Sequence, residues 1–132
     1  MNRLILLVED DVRKAAPIKA ALEDRGHGVI WVTGIPEVPN TEGICYGTAP
    51  NSWSKKIPLR LSDFGAAFLD FTLDGIRDGD KIINDLQQAG VKTCAIATDA
   101  VNNLALKRFG AVTSCLKKDV VSNLGTLLQD LF

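Results

Sequence analysis

The chain has 132 residues, 46% of them hydrophobic and 23% charged, which is enough for one compact core without a disulfide or metal staple. Fifteen basic and 16 acidic side chains leave a net charge of −1 with no basic run to track a phosphate backbone, so direct nucleic-acid binding is disfavoured. Cys45, Cys94 and Cys115 form no CxxC pair and His27 has no ligand-like neighbour, which points to a reduced, zinc-free, cytoplasmic protein.

Leu4-Ile5-Leu6-Leu7-Val8 is a continuous apolar run, as expected of a central strand covered on both faces. It is too short for a signal h-region or a membrane span, and three acids follow it. The chain starts at Met1 and reads as unprocessed. From Val12 to Arg25, Ala15, Ile18, Ala21 and Leu22 recur at helical spacing before a Gly26 cap, although Pro17 favours a helix start near Lys14. Val29-Ile30-Trp31-Val32 predicts a second strand and Ala66-Ala67-Phe68-Leu69 a third, which runs into Asp70. A helix over 79–89 with Ile82, Ile83 and Leu86 inward ends at Gly90, and Cys94-Ala95-Ile96-Ala97 reads as a fourth strand. A helix over 101–109, closed by Gly110, leads to a fifth strand, Ser114-Cys115-Leu116. The last helix, 120–131, places Val121, Leu124, Leu128 and Leu131 on one stripe.

This alternation predicts a single α/β domain over 1–132, a doubly wound five-stranded parallel sheet of flavodoxin-like topology. Residues 33–64 break the rhythm: Pro36, Pro39, Pro50 and Pro58 interrupt them where a second helix is due. An irregular segment is expected there, with a short helix near Ser62 or a packed loop built on Tyr46 and Trp53. Ligands of such sheets bind beyond the carboxyl ends of the strands. That rule selects Glu9, Asp10 and Asp11 after strand one, Asp70 after strand three, Thr98 after strand four, and Lys117 or Lys118 after strand five. Crowded carboxylates suit a hard divalent cation, and a hydroxyl with an ammonium suits phosphoryl oxygens.

Ile5-Leu6-Leu7-Val8-Glu9-Asp10-Asp11, Phe68-Leu69-Asp70, Ile96-Ala97-Thr98 and Leu116-Lys117-Lys118-Asp119 together resemble the receiver domain of two-component response regulators. The likeness spans nearly the whole chain except residues 33–64. It implies that Asp70 accepts a phosphoryl group from a histidine kinase or phosphotransfer protein, and that Asp10 ligates Mg²⁺ with help from Glu9 and Asp70. It further implies a carbonyl ligand from Thr72, a phosphoryl contact from Thr98 and a salt bridge from Lys118. Lys118 is preferred because Asp119 follows it as in many family members, whereas counting from Gly110 and Ala111 favours Lys117. Such a domain is a phosphoacceptor, with no turnover enzyme expected, and its downstream effector is unread. With nothing after Phe132, a stand-alone or excised receiver is expected.

The pattern also departs from the family. Asp74 replaces a usual proline, Asp78-Gly79 comes one residue late, and Asp99 follows Thr98 where a small residue is usual. The switch aromatic is replaced by Cys115, or by Ser114 in the Lys117 register. These departures define the alternative, a pseudo-receiver that binds a partner protein without phosphorylation, with Tyr46 and Trp53 as anchors of an output surface. Two decoys fail on their own residues. A calcium loop from Asp74 has Ile76 at its third position, and a haloacid-dehalogenase-like site lacks its second carboxylate, since Thr72 stands there.

Overall fold

The computed structural model describes residues 4–70, 79–98, 104, 107 and 110–132. Five strands, β1 (Leu4–Val8), β2 (Gly28–Val32), β5 (Ala66–Asp70), β6 (Lys92–Ala97) and β7 (Thr113–Leu116), form one parallel sheet in the order β2-β1-β5-β6-β7. The order reverses direction between β1 and β5, and there the doubly wound fold opens its ligand crevice. The unbroken apolar run predicted for β1 is buried from Ile5 to Val8, as a strand covered on both faces requires.

Helix α1 (Val12–Asp24) and helix α3 (Leu124–Leu131) cover one face. Their Ile18, Leu22, Leu124 and Leu128 pack with Ile5, Leu7, Phe68 and Ile96. Helix α1 starts two residues earlier than Pro17 suggested, because the Asp11 carboxylate accepts the Arg13 amide at 3.0 Å and caps the first turn. Pro17 is on the exposed face, where water can serve the carbonyl that its missing N–H leaves. The last helix is shorter than expected. A 3-10 turn at Lys117–Asp119 precedes it, so Val120 turns inward and Val121, expected on the buried stripe, is 47% exposed.

On the other face, α2 (Gly79–Gln88) buries Ile82, Ile83 and Leu86. Its neighbour is the segment expected to be irregular, and this expectation is corrected. Strands β3 (Ile44–Ala49) and β4 (Ser52–Arg60) form an antiparallel hairpin, from Ile44 opposite Arg60 to Ala49 opposite Ser52, with a register shift at Thr48/Ala49. The expected short helix near Ser62 is a 3-10 turn, Leu61–Asp63. Cys45 and Leu59 point inward onto Val32, Ile35 and Leu61, while Tyr46 is 45% exposed. Thr48 exchanges backbone hydrogen bonds with Thr33 and Gly34, 3.0 Å each, tying β3 to the chain just beyond β2. Only glycine fits at Gly47, where a Cβ would lie 2.4 Å from a Val32 methyl. The outer edge of β4 has no strand partner among the described residues and carries Lys55, Lys56, Pro58 and Arg60.

Candidate phosphoacceptor site

The carboxyl ends of β1 and β5 place Glu9, Asp10 and Asp70 side by side. One carboxylate oxygen from each lies within 4.8 Å of the others. Glu9 is fully buried and Asp70 only 3% exposed. From the end of β7, Lys117 reaches back into this group. Its Nζ donates to Asp70 Oδ2 at 2.8 Å and lies 2.7 Å from Glu9 Oε1.

The preference for Lys118 is therefore corrected. The 3-10 turn after β7 points Lys117 into the cluster and leaves Lys118 exposed. The spacing from Gly110 and Ala111, which favours Lys117, agrees with this geometry. Thr98 follows β6 directly; since Ile96 pairs with Asp70, the threonine stands at the same sheet edge, and it is exposed. Asp11 serves as the α1 cap. Thr72, Asp74, Asp78, Asp99 and the helix expected over 101–109 lie outside the described residues, apart from 104 and 107, as does the side chain of Trp53. Trp31, read from the sequence only as part of the second strand, donates its indole N–H to the Glu9 carbonyl at 2.8 Å. No spacing rule in the sequence reveals that contact.

Lys117 is the ammonium that Asp70 and Glu9 share. Burial first, then the neighbouring Asp70, pushes the Glu9 carboxyl from 4.5 up to about 8, against the lowering pull of Lys117. Burial alone would lower Lys117, yet Asp70 and Glu9 hold its pKa above the usual lysine value. Near neutral pH the Glu9 carboxyl of the metal-free cluster therefore holds its proton beside the charged Lys117 ammonium. Neither Glu9 oxygen accepts an aligned hydrogen bond among the described residues, although Oε1 is in ion-pair contact with Lys117. Carboxylate oxygens of Glu9, Asp10 and Asp70 converging at this spacing, with the two Glu9 oxygens short of aligned donors, fit a hard divalent cation that takes oxygen ligands.

The sequence matches no protein-family profile and no curated protein at a significant level. Solved structures do match. NtrX from Brucella abortus, in complex with ADP, superimposes with a TM-score of 0.72 at 18% identity over 99% of this chain, which spans 27% of NtrX. A CheY-like response regulator receiver domain from Methanospirillum hungatei JF-1 matches with a TM-score of 0.63 at 18% identity, covering 99% of this chain and 97% of that one. The receiver domain of a sensor histidine kinase from Pseudomonas aeruginosa PAO1, with a magnesium ion coordinated in its active-site cleft, gives 0.67 at 19% identity, covering 98% and 96%. With the sheet order and the acidic edge already in view, these likenesses establish that the chain has the response regulator receiver fold.

Proposed function

We propose that the chain is a phosphoacceptor receiver of two-component signalling. In this reading an Asp70 oxygen attacks the phosphorus of a phosphohistidine on a sensor kinase or phosphotransfer protein. The N–P bond breaks, the leaving imidazole keeps the electron pair and takes up a proton, and Asp70 becomes an acyl phosphate. The observation that carries the reading is Asp70 itself, fixed at a buried strand end and held 2.8 Å from the Lys117 ammonium. Rigid placement and charge neutralisation supply most of the catalysis in phosphoryl transfer.

Lys117 would follow the phosphoryl oxygens as negative charge moves onto them, and Thr98, at the same edge, would donate its hydroxyl. Glu9, Asp10 and Asp70 would hold Mg²⁺, which when bound supplies positive charge to the transferring group. The ion described in the Pseudomonas domain supports that assignment. The role is that of an acceptor rather than a turnover enzyme. No helix among the described residues is long and apolar enough to cross a membrane. A kinase partner and cysteines that form no disulfide among the described residues accord with a cytoplasmic location.

Incubation with Mg²⁺ and acetyl phosphate, followed by intact-mass measurement, tests the proposal. One added phosphoryl mass is expected in the wild-type protein and none in Asp70→Asn. A wild-type protein that stays unmodified, and whose melting temperature ignores Mg²⁺ with beryllofluoride, would instead be a constitutive protein-binding module.

A further inference from the structure

Trp31 lies near the end of edge strand β2, opposite Leu7 of β1. Its ring packs against the cluster under α1 that contains Ile5, Leu7 and Ile18, while its Nε1 reaches past the end of β1 to the Glu9 carbonyl. The Glu9 amide in turn donates to the Val32 carbonyl at 3.1 Å. β2 therefore grips Glu9 on both sides of its Cα, through a strand bond at the N–H and an indole at the C=O. That carbonyl belongs to the peptide plane joining Glu9 to Asp10. Holding it fixes ψ of Glu9, and with it the direction in which Asp10 leaves the strand. Two residues later the chain is fixed again, by the Asp11 cap of α1. Asp10 thus sits on a short bridge with both ends anchored.

We propose that Trp31 is a positioning residue of the acidic cluster, orienting Asp10 through its indole bond to the Glu9 carbonyl. The inference rests on the reading of Glu9, Asp10 and Asp70 as the Mg²⁺ site, and it adds a residue outside the carboxylate set to what determines that site's affinity. The Trp31→Phe variant keeps an aromatic ring in the packed position and deletes the donor. Val29→Ala, on the same strand and packed against the same cluster, is the control for general loosening.

Two readouts separate the possibilities. In the metal-free protein, NMR order parameters at Asp10 and Asp11 should fall in Trp31→Phe and stay at wild-type values in Val29→Ala. By calorimetry, Mg²⁺ should bind about fivefold more weakly in Trp31→Phe, the scale of one lost hydrogen bond, and normally in the control. Unchanged order parameters in Trp31→Phe overturn the inference whatever the affinity. If the wild-type protein binds no Mg²⁺, the metal-site reading fails and the order parameters alone decide the role of Trp31. Should Trp31→Phe not fold, benzothienylalanine at position 31 supplies nearly the same shape without the N–H.

Discussion

The two faces of the sheet are buried by different means. One lies under α1 and α3, whose leucines and isoleucines recur at helical spacing. The other is shared by α2 and a β-hairpin that covers its part with Cys45, Leu59 and the neighbouring Ile35 and Leu61. Both covers leave β1 equally dry, since Leu6 and Val8 on one side and Ile5 and Leu7 on the other are all 0% exposed. The members of the acidic cluster leave the strands at their carboxyl ends, with α1 bearing on them through its Asp11 cap and the hairpin contributing none of them. Exchange of a helix for a hairpin is therefore compatible with an unaltered carboxylate edge.

Four tests would break or sharpen this contrast. The largest effect belongs to the edge. Lys117→Met removes the cation between two buried carboxylates and should cost about 3 kcal/mol of stability above pH 8. The cost should be smaller at pH 5, where Glu9 holds a proton, and urea melts at the two pH values measure the difference. Next comes the hairpin as a cover. Leu59→Ala should cost about 2–4 kcal/mol, as much as Leu22→Ala under α1. A loss below about 1 kcal/mol would make the hairpin an appendage rather than a core layer.

Gly47→Ala should cost about 1–3 kcal/mol by forcing β3 off Val32. The double variant with Val32→Ala should recover part of that loss, the signature of direct contact. The remaining test is the pH slope of the metal-free protein. A Glu9 pKa raised from 4.5 to about 8 means that the folded state binds the extra proton between those values. The stability this contributes is complete below about 4.5 and is lost as pH rises through about 8. Melting temperatures should therefore fall over that window, more gently in Glu9→Gln, and a slope unchanged by that substitution would remove Glu9 as its source.

The helical face and the acidic edge were readable because their signals are local and redundant. Leu4–Val8 is an apolar run ending in acids, and Gly26, Gly90 and Gly110 take the positive φ that a chain needs on leaving a helix or turn. The hairpin was hidden by its composition. Its strands do alternate, but the inward residues of β3 are Cys45, Gly47 and Ala49, too small to show as a hydrophobic period, and Pro58 interrupts β4. Lys117 and Lys118 are adjacent in sequence, so only the 3-10 turn that starts at Lys117 decides which enters the site. The indole bond of Trp31 spans 22 residues and leaves no mark on any local pattern.

The outer edge of β4 has one further consequence, for how copies of the protein behave at high concentration. A nine-residue strand with a bare rim would ordinarily invite another chain to add itself as the next strand. Here Pro58 interrupts the row of amide donors, and the exposed Lys55 and Arg60 add like charges that oppose pairing of two such rims, while Lys56 lies 3.6 Å from Glu37. The hairpin that took the place of a helix thus carries its own protection against edge-to-edge aggregation.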